Sequence, residues 1–466
     1  MDVGSDRAIQ DSLHEKISAA TARAGICNVH EHLLGRDQRA ERDPGLFDWI
    51  GSSYLWADLV SAGLNREVFA DTGIPMAHRW SELARILPAV RHTGYMQVCR
   101  YGWRDLCAME GPGLNTCNWK AVDQSIRDHN RDAGFSHRVL SEQCGMKHIL
   151  VDYQVGGTPV YFFGQREALD WYDYLVRVRP GLDEKLIADH TVIRELDLPL
   201  LRPVVKIDSL FYSWLPQTAA ENHALLGCDT GSANDLDAYR QVIADTIARL
   251  AQEGAVGLKT AHNCCRSPVL GPVDDIAAQK VLESLPESVT RDQIIAFENF
   301  VMHEVAAGAA RHSLPLQIHT GTTYGPGGLS SAGAGAAEHF ADFVQEKQET
   351  TFILMHASWP DWGRIEQMAK RYPNVMLDLS WAIMLGPKEA RRMLTSMFTS
   401  IPTSKLLWGG DCYYVEESYG ALRQAQRVVT AALADLVIDG ELAESEAIDL
   451  AVGLFCLNGL QIYGLA

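Results

Sequence analysis

Basic charge is the first thing this chain lacks: 41 lysines and arginines stand against 59 aspartates and glutamates, a formal net charge of −18. An excess of that sign excludes a nucleic-acid surface and favours solubility. Long apolar runs are missing too. Met1 to Gly25 is largely polar, without the apolar h-region of a signal peptide. No stretch reads as the roughly 18 apolar residues that cross a bilayer, so no membrane partner is expected. The ten cysteines include no C-x-x-C pair, and the adjacent Cys264 and Cys265 make a poor zinc clamp. Such scattered thiols read as reduced cysteines of a cytoplasmic protein rather than as a disulfide framework. Repeats and low-complexity tracts are also absent. The nearest approach, Gly325 to Ala337, is rich in Gly, Ser and Ala but lacks the spacing of a P-loop; a flexible surface loop, a lid or an anion cradle would each suit it.

What is present is a large core. The chain has 466 residues, 47% of them hydrophobic, enough for one large domain or two to three smaller ones. Short apolar runs bounded by turn residues recur: one before His30, then Lys147–Tyr153, Leu201–Phe211, Ala255–Ala261, Leu314–Thr320, Thr351–Ala357, Asn374–Ser380 and Leu406–Cys412. Runs of this kind mark strands buried on both faces of a parallel sheet. Helical periodicity fills the gaps, as in Asp237–Glu253, Arg291–His312, Gly363–Tyr372 and Pro387–Thr399, and closing helices follow at Tyr419–Leu436 and Ser445–Leu457. Eight such units predict an α/β protein, a closed (β/α)8 TIM barrel. Between the first and second strands, residues 36–146 carry aromatics at helical spacing and no strand pattern. They are read as a helical insertion within a single domain spanning 1–466.

Barrel enzymes place their chemistry at the C-terminal ends of the strands. There the sequence puts His30 and His32 on strand one, Lys259 on strand four, His319 on strand five, His356 on strand six and Asp411 on strand eight. His-x-His alone is a weak motif. On a strand, however, its two rings point to one side, and only some of the chain's 16 histidines fall at this rim. Neutral imidazoles and a carboxylate suit zinc, manganese, nickel or iron, and zinc is the expected ion. Glu31 alternates away from the two histidines. His262, Asp208, Trp381 and Tyr413 are weaker rim candidates, and Arg100 and Arg104 in the insertion could clamp a carboxylate.

With these residues in view, the chain resembles the amidohydrolase superfamily of metal-dependent barrel hydrolases, in the branch that includes uronate isomerase and related decarboxylases. The resemblance rests on His30-Glu31-His32, Gln317-Ile318-His319, Leu354-Met355-His356, Gly409-Gly410-Asp411 and the closing Asn458 to Gly464. It implies that His30, His32 and Asp411 hold the more buried ion. His319 completes that site or, with His356, holds a second ion. In binuclear members a strand-four lysine becomes a bridging carbamate, and Lys259 matches that position; a salt bridge to substrate or to a rim acid is the alternative.

The expected function is that of a metal-dependent hydrolase acting on an amide, ester or lactone bond of a small polar substrate. Asp411 would move the proton, and His356 would act either as a ligand or as an acid/base. An isomerase or decarboxylase of a carboxylated substrate is the first alternative, and a non-catalytic binding barrel the second. A homo-oligomer is the default assembly.

Overall fold

The computed structural model describes residues 3–33, 36–153, 199–212, 214, 219, 227–228, 230–262, 270–285, 288–325, 328–330 and 340–465. Eight strands among them, all parallel to their neighbours, pair in chain order. They are β1 (Ile26–Glu31), β2 (Met146–Tyr153), β3 (Leu201–Lys206), β4 (Gly257–Thr260), β5 (Leu316–Ile318), β6 (Phe352–Leu354), β7 (Val375–Asp378) and β8 (Leu406–Leu407). Backbone bonds close the ring, with Val29 donating to the Trp408 carbonyl at 3.1 Å and Asp411 to that of His30 at 2.8 Å. The architecture is the expected TIM barrel.

Several strands stop earlier than their apolar runs suggest, and each early stop shapes the rim. The run after β3 folds into a 3-10 turn at Asp208–Tyr212. Beyond β6, His356, Ala357 and Ser358 all take positive φ (59°, 48° and 52°). β8 ends at Leu407 because the chain then slides against β1. A Cβ on Gly409 would lie 2.7 Å from the His30 amide nitrogen, so only glycine passes there, and Asp411 emerges with φ 57°. Non-glycine residues in this region are uncommon and concentrate at functional sites.

The outer helices are capped as their sequences dictate. Asp235 caps Leu236–Gln252, and Thr290 with Gln293 forms a capping box on Arg291–Arg311. Inside the barrel a small cluster of Cys27, Val29, Leu150, Val204, Ile353, Leu407 and Tyr463 fills the base. Glu444–Ile462 has the length and mean hydropathy (1.2) of a membrane span. Here it is a broken helix at that base, where Asn458 Nδ2 donates to the Thr403 and Leu406 carbonyls, both at 2.8 Å.

The segment between β1 and β2 is helical from Arg36 to Gln143. Its own core is aromatic, with Trp49, Trp56, Trp80, Trp103 and Trp119 among the buried side chains, and it runs on into Trp381, Cys412 and Tyr414 of the barrel rim. Two glycines set the seam: a Cβ on Gly102 would collide with the Glu416 carbonyl, and one on Gly420 with that of Val98.

Candidate metal centre

Strand alternation brings the His30 and His32 rings together, 4.7 Å apart between centroids. Asp411 Oδ1 lies 3.1 Å from the Nε2 atoms of both. All three residues offer ligand atoms within 4.8 Å of one another. Asp411 Oδ1 and His30 Nδ1 are nonetheless buried without a hydrogen-bond partner. Burial, then the charge of Lys259, lowers His30 to about 4, so its ring is neutral at ordinary pH. Burial opposes the ionised form of Asp411, but the neighbouring His30 holds it well below the usual carboxylate range. A buried carboxylate oxygen set between two imidazole nitrogens, one of them on the neutral His30, fits a cation.

Glu31 fastens this arrangement from behind. Its carboxyl accepts from the Cys412 amide at 2.6 Å, from Asn28 Nδ2 at 2.7 Å and from Ser418 Oγ. It thereby ties the end of β8 to β1, as its outward register on the strand foretold.

His319 and His356 form the second half of the centre. His319 Nε2 is 2.9 Å from the Thr322 carbonyl and His356 Nδ1 is 3.0 Å from that of Ser380. A carbonyl oxygen only accepts, so each ring spends its one N–H there. The remaining nitrogens, His319 Nδ1 and His356 Nε2, face each other at 3.2 Å. Burial lowers His319 to about 4 and His356 well below its ordinary value. Two neutral imidazoles therefore present lone pairs to each other, an arrangement that a cation between them relieves.

Lys259 enters from β4. Its Nζ donates to Asp152 Oδ2 at 2.6 Å and sits 3.3 Å from His30 Nε2. Burial would raise Asp152, but Lys259 dominates and keeps it ionised far below its usual range. Of the readings open for Lys259, the ion pair with a rim acid is the one its side chain displays. Asp152, at the C-terminal end of β2, also lies 3.5 Å from His32 Nδ1. Sequence reasoning missed it, although the rule that found Asp411 applies equally to Lys147–Tyr153.

Aromatic rings wall the centre. Tyr413 stacks on His32 at 5.1 Å between centroids, and Trp381 meets His356 edge-on at 5.2 Å. Tyr54, from the insertion, lies 5.0 Å from Trp381 and hydrogen-bonds Asp411. No strand register pointed to it.

Other candidates are placed elsewhere. His262 is a packed core histidine, bonded to the Tyr212 hydroxyl at 2.8 Å and stacked on Phe211. Asp208 accepts from Thr260 Oγ1 and the Ala261 amide. Arg104 pairs with its neighbour Asp105 on the surface, and Arg100 lies on the same helix. Most of Gly325–Ala337 falls outside the described residues, as do Cys264 and Cys265; Thr323–Gly325 pairs with Gly328–Ser330 in a hairpin just after His319.

Comparison with known proteins bears on the family and the fold. Residues 233–451 match the family model described as Amidohydrolase, a stretch that holds Lys259, His319, His356 and Asp411. The fold matches a uronate isomerase of Thermotoga maritima with a TM-score of 0.72, at 14% identity over 99% of this chain and 100% of that one. A glucuronate isomerase of Caulobacter crescentus also gives 0.72, at 15% identity over 100% and 95%. A protein described as a metal-dependent hydrolase, from Lactobacillus casei, gives 0.61 at 16% identity over 96% and 97%. In sequence the chain is 23% identical over 286 residues to Protein fluG of Emericella nidulans, aligning 56% of itself but spanning only 32% of that longer protein. Residues 233–451, just under half of the chain, thus match the amidohydrolase family, and the whole chain shares the fold of the uronate isomerases.

Proposed function

We propose that the chain is a metal-dependent hydrolase that cleaves an amide, ester or lactone bond of a small polar substrate. One observation supports this reading: the rim gathers three residues able to hold one cation, with two more histidines beside them that could hold a second. His30, His32 and Asp411 surround the first, and the facing nitrogens of His319 and His356 surround the second. Zinc suits both donor sets. A divalent ion there supplies a Lewis acid and lowers the pKa of a water toward about 7.

The chain's own groups do the rest. Asp411 accepts the proton of the attacking water and passes it to the leaving group. The Tyr54 hydroxyl, bonded to Asp411, orients that carboxylate. Lys259, paired with Asp152, faces the charge that develops on the substrate oxygen; carboxylation of its amine is the competing state. Trp381 and Tyr413 exclude water from the pocket wall. The eight described cysteines are all free, which suits a reducing cytoplasmic setting, and a homo-oligomer is the default for a soluble chain that assembles.

A second reading, an isomerase or decarboxylase of a carboxylated substrate, is favoured by the full-length likeness to uronate isomerases. Metal content separates the two. The double variant His32→Ala, His356→Ala should hold about two ions fewer per chain than the parent for the hydrolase, and about one fewer for the isomerase. Loss of none would remove both readings. A panel of amides, esters, lactones and uronates assayed with the metal-loaded protein then names the reaction, and turnover of uronates alone would overturn the hydrolase.

A further inference from the structure

We propose that Cys107, His129 and Glu416 form a separate zinc site that locks the helical insertion to the barrel. Cys107 follows the helix Gly94–Asp105, His129 lies on Trp119–Arg131, and Glu416 is in the first turn of Val415–Ile438. Three distant segments thus bring one sulfur, one imidazole nitrogen and one carboxylate oxygen within 4.8 Å of one another. This is a donor set that zinc takes, and bonds of about 2.0–2.3 Å would close the triangle only slightly further.

Pairing within the protein leaves part of the cluster unexplained. Glu416 Oε1 accepts from Arg39 Nη2 and His129 Nδ1, at 2.5 and 2.8 Å. Its other oxygen, Oε2, has no hydrogen-bond partner although the residue is 0% exposed. Cys107 is fully buried as well. An ion on Oε2 uses the leftover acceptor while Arg39 stays on Oε1, where it steadies the ligand as such outer partners do. Two anionic ligands, the carboxylate and the thiolate, offset the charge of Arg39 beside the ion. Binding releases the thiol proton of Cys107 and displaces the proton between His129 and Glu416. His129 is the half-buried member of the set and provides the solvent path, with water in the fourth position. Glu416 lies five residues beyond Asp411 in the sequence, so this ion would anchor the segment that carries the catalytic carboxylate.

The test is cobalt substitution of the full-length protein. Among the described residues the rim group holds no sulfur, so a thiolate-to-cobalt charge-transfer band that depends on Cys107 reports this site. The band is expected in the parent and in His32→Ala, and its loss is expected in Cys107→Ser together with about one zinc per chain. No band in the parent, or a band that survives Cys107→Ser, overturns the proposal. Should Cys107→Ser fail to fold, His129→Gln must shift the band or abolish it. Failure of the rim reading would leave this result untouched.

Discussion

The barrel and its insertion bury their surfaces with different side chains. The barrel's interior and outer layers are largely aliphatic, built from Ile, Leu and Val such as Ile149, Val205, Leu258, Ile318 and Leu354. The insertion core is a mesh of rings: Trp80 stacks on Trp119 at 5.3 Å and Trp49 meets Trp103 at 5.6 Å. Aliphatic layers suit strands that must pack on both faces; large rings let short helices bury much area with few residues. The two cores nevertheless meet at Trp381, Cys412 and Tyr414, the residues flanking the candidate centre. The barrel supplies the ligands and the insertion supplies the wall, so function depends on both, and their shared seam couples their stability.

The largest expected effect lies at their meeting point. Asp411→Asn should lower turnover by about 10²–10⁴-fold, the range of a lost proton-transfer group, while circular dichroism shows the fold intact. Retained turnover would take Asp411 out of the mechanism. Next comes the insertion core. Trp103 is 0% exposed, and Trp103→Ala should cost about 3–5 kcal/mol, read by denaturant unfolding. Because the two cores are continuous, a single transition is expected; two would make the insertion an independently folding unit.

A smaller effect follows from the seam. Burial works against ionised Glu416, yet Arg39 and His129 hold it at about 2 against an ordinary 4.5. A depressed pKa contributes stability that is present above about 4.5 and is lost as pH falls through about 2. In chelator, Arg39→Gln should therefore begin to unfold at higher pH than the parent during acid titration. Coincident titrations would show that the ion pair contributes nothing to holding the insertion.

The barrel was legible because burial on both faces leaves continuous apolar runs, and because rim chemistry must sit where those runs end. That logic found His30, His32, Lys259, His319, His356 and Asp411 and brought them to one place. It overran β3, β6 and β8, since Gly409 and the positive-φ residues after Met355 break the strand through close approach and turn geometry, which hydropathy does not report. Asp152 was readable and overlooked. Tyr54 was not readable: it reaches Asp411 from the junction between two helices of the insertion, where no strand register points. Cys107, His129 and Glu416 carry no motif at all, being 22 and 287 residues apart.

The smallest effect tests whether stability and chemistry separate within the barrel itself. Ile353 is 0% exposed inside the barrel, packed in the same cluster as Val29 and Leu407, and stands three residues before His356. Ile353→Val removes one methylene and should cost about 0.5–1.5 kcal/mol. His356 is fixed by the Ser380 carbonyl and by the Thr320 side chain, which bonds the Met355 carbonyl and the Ser358 amide. Those bonds lie above the cluster, so turnover of the metal-loaded protein should stay unchanged. A parallel fall in turnover would mean that the interior layer, rather than the rim's own hydrogen bonds, holds His356 in place.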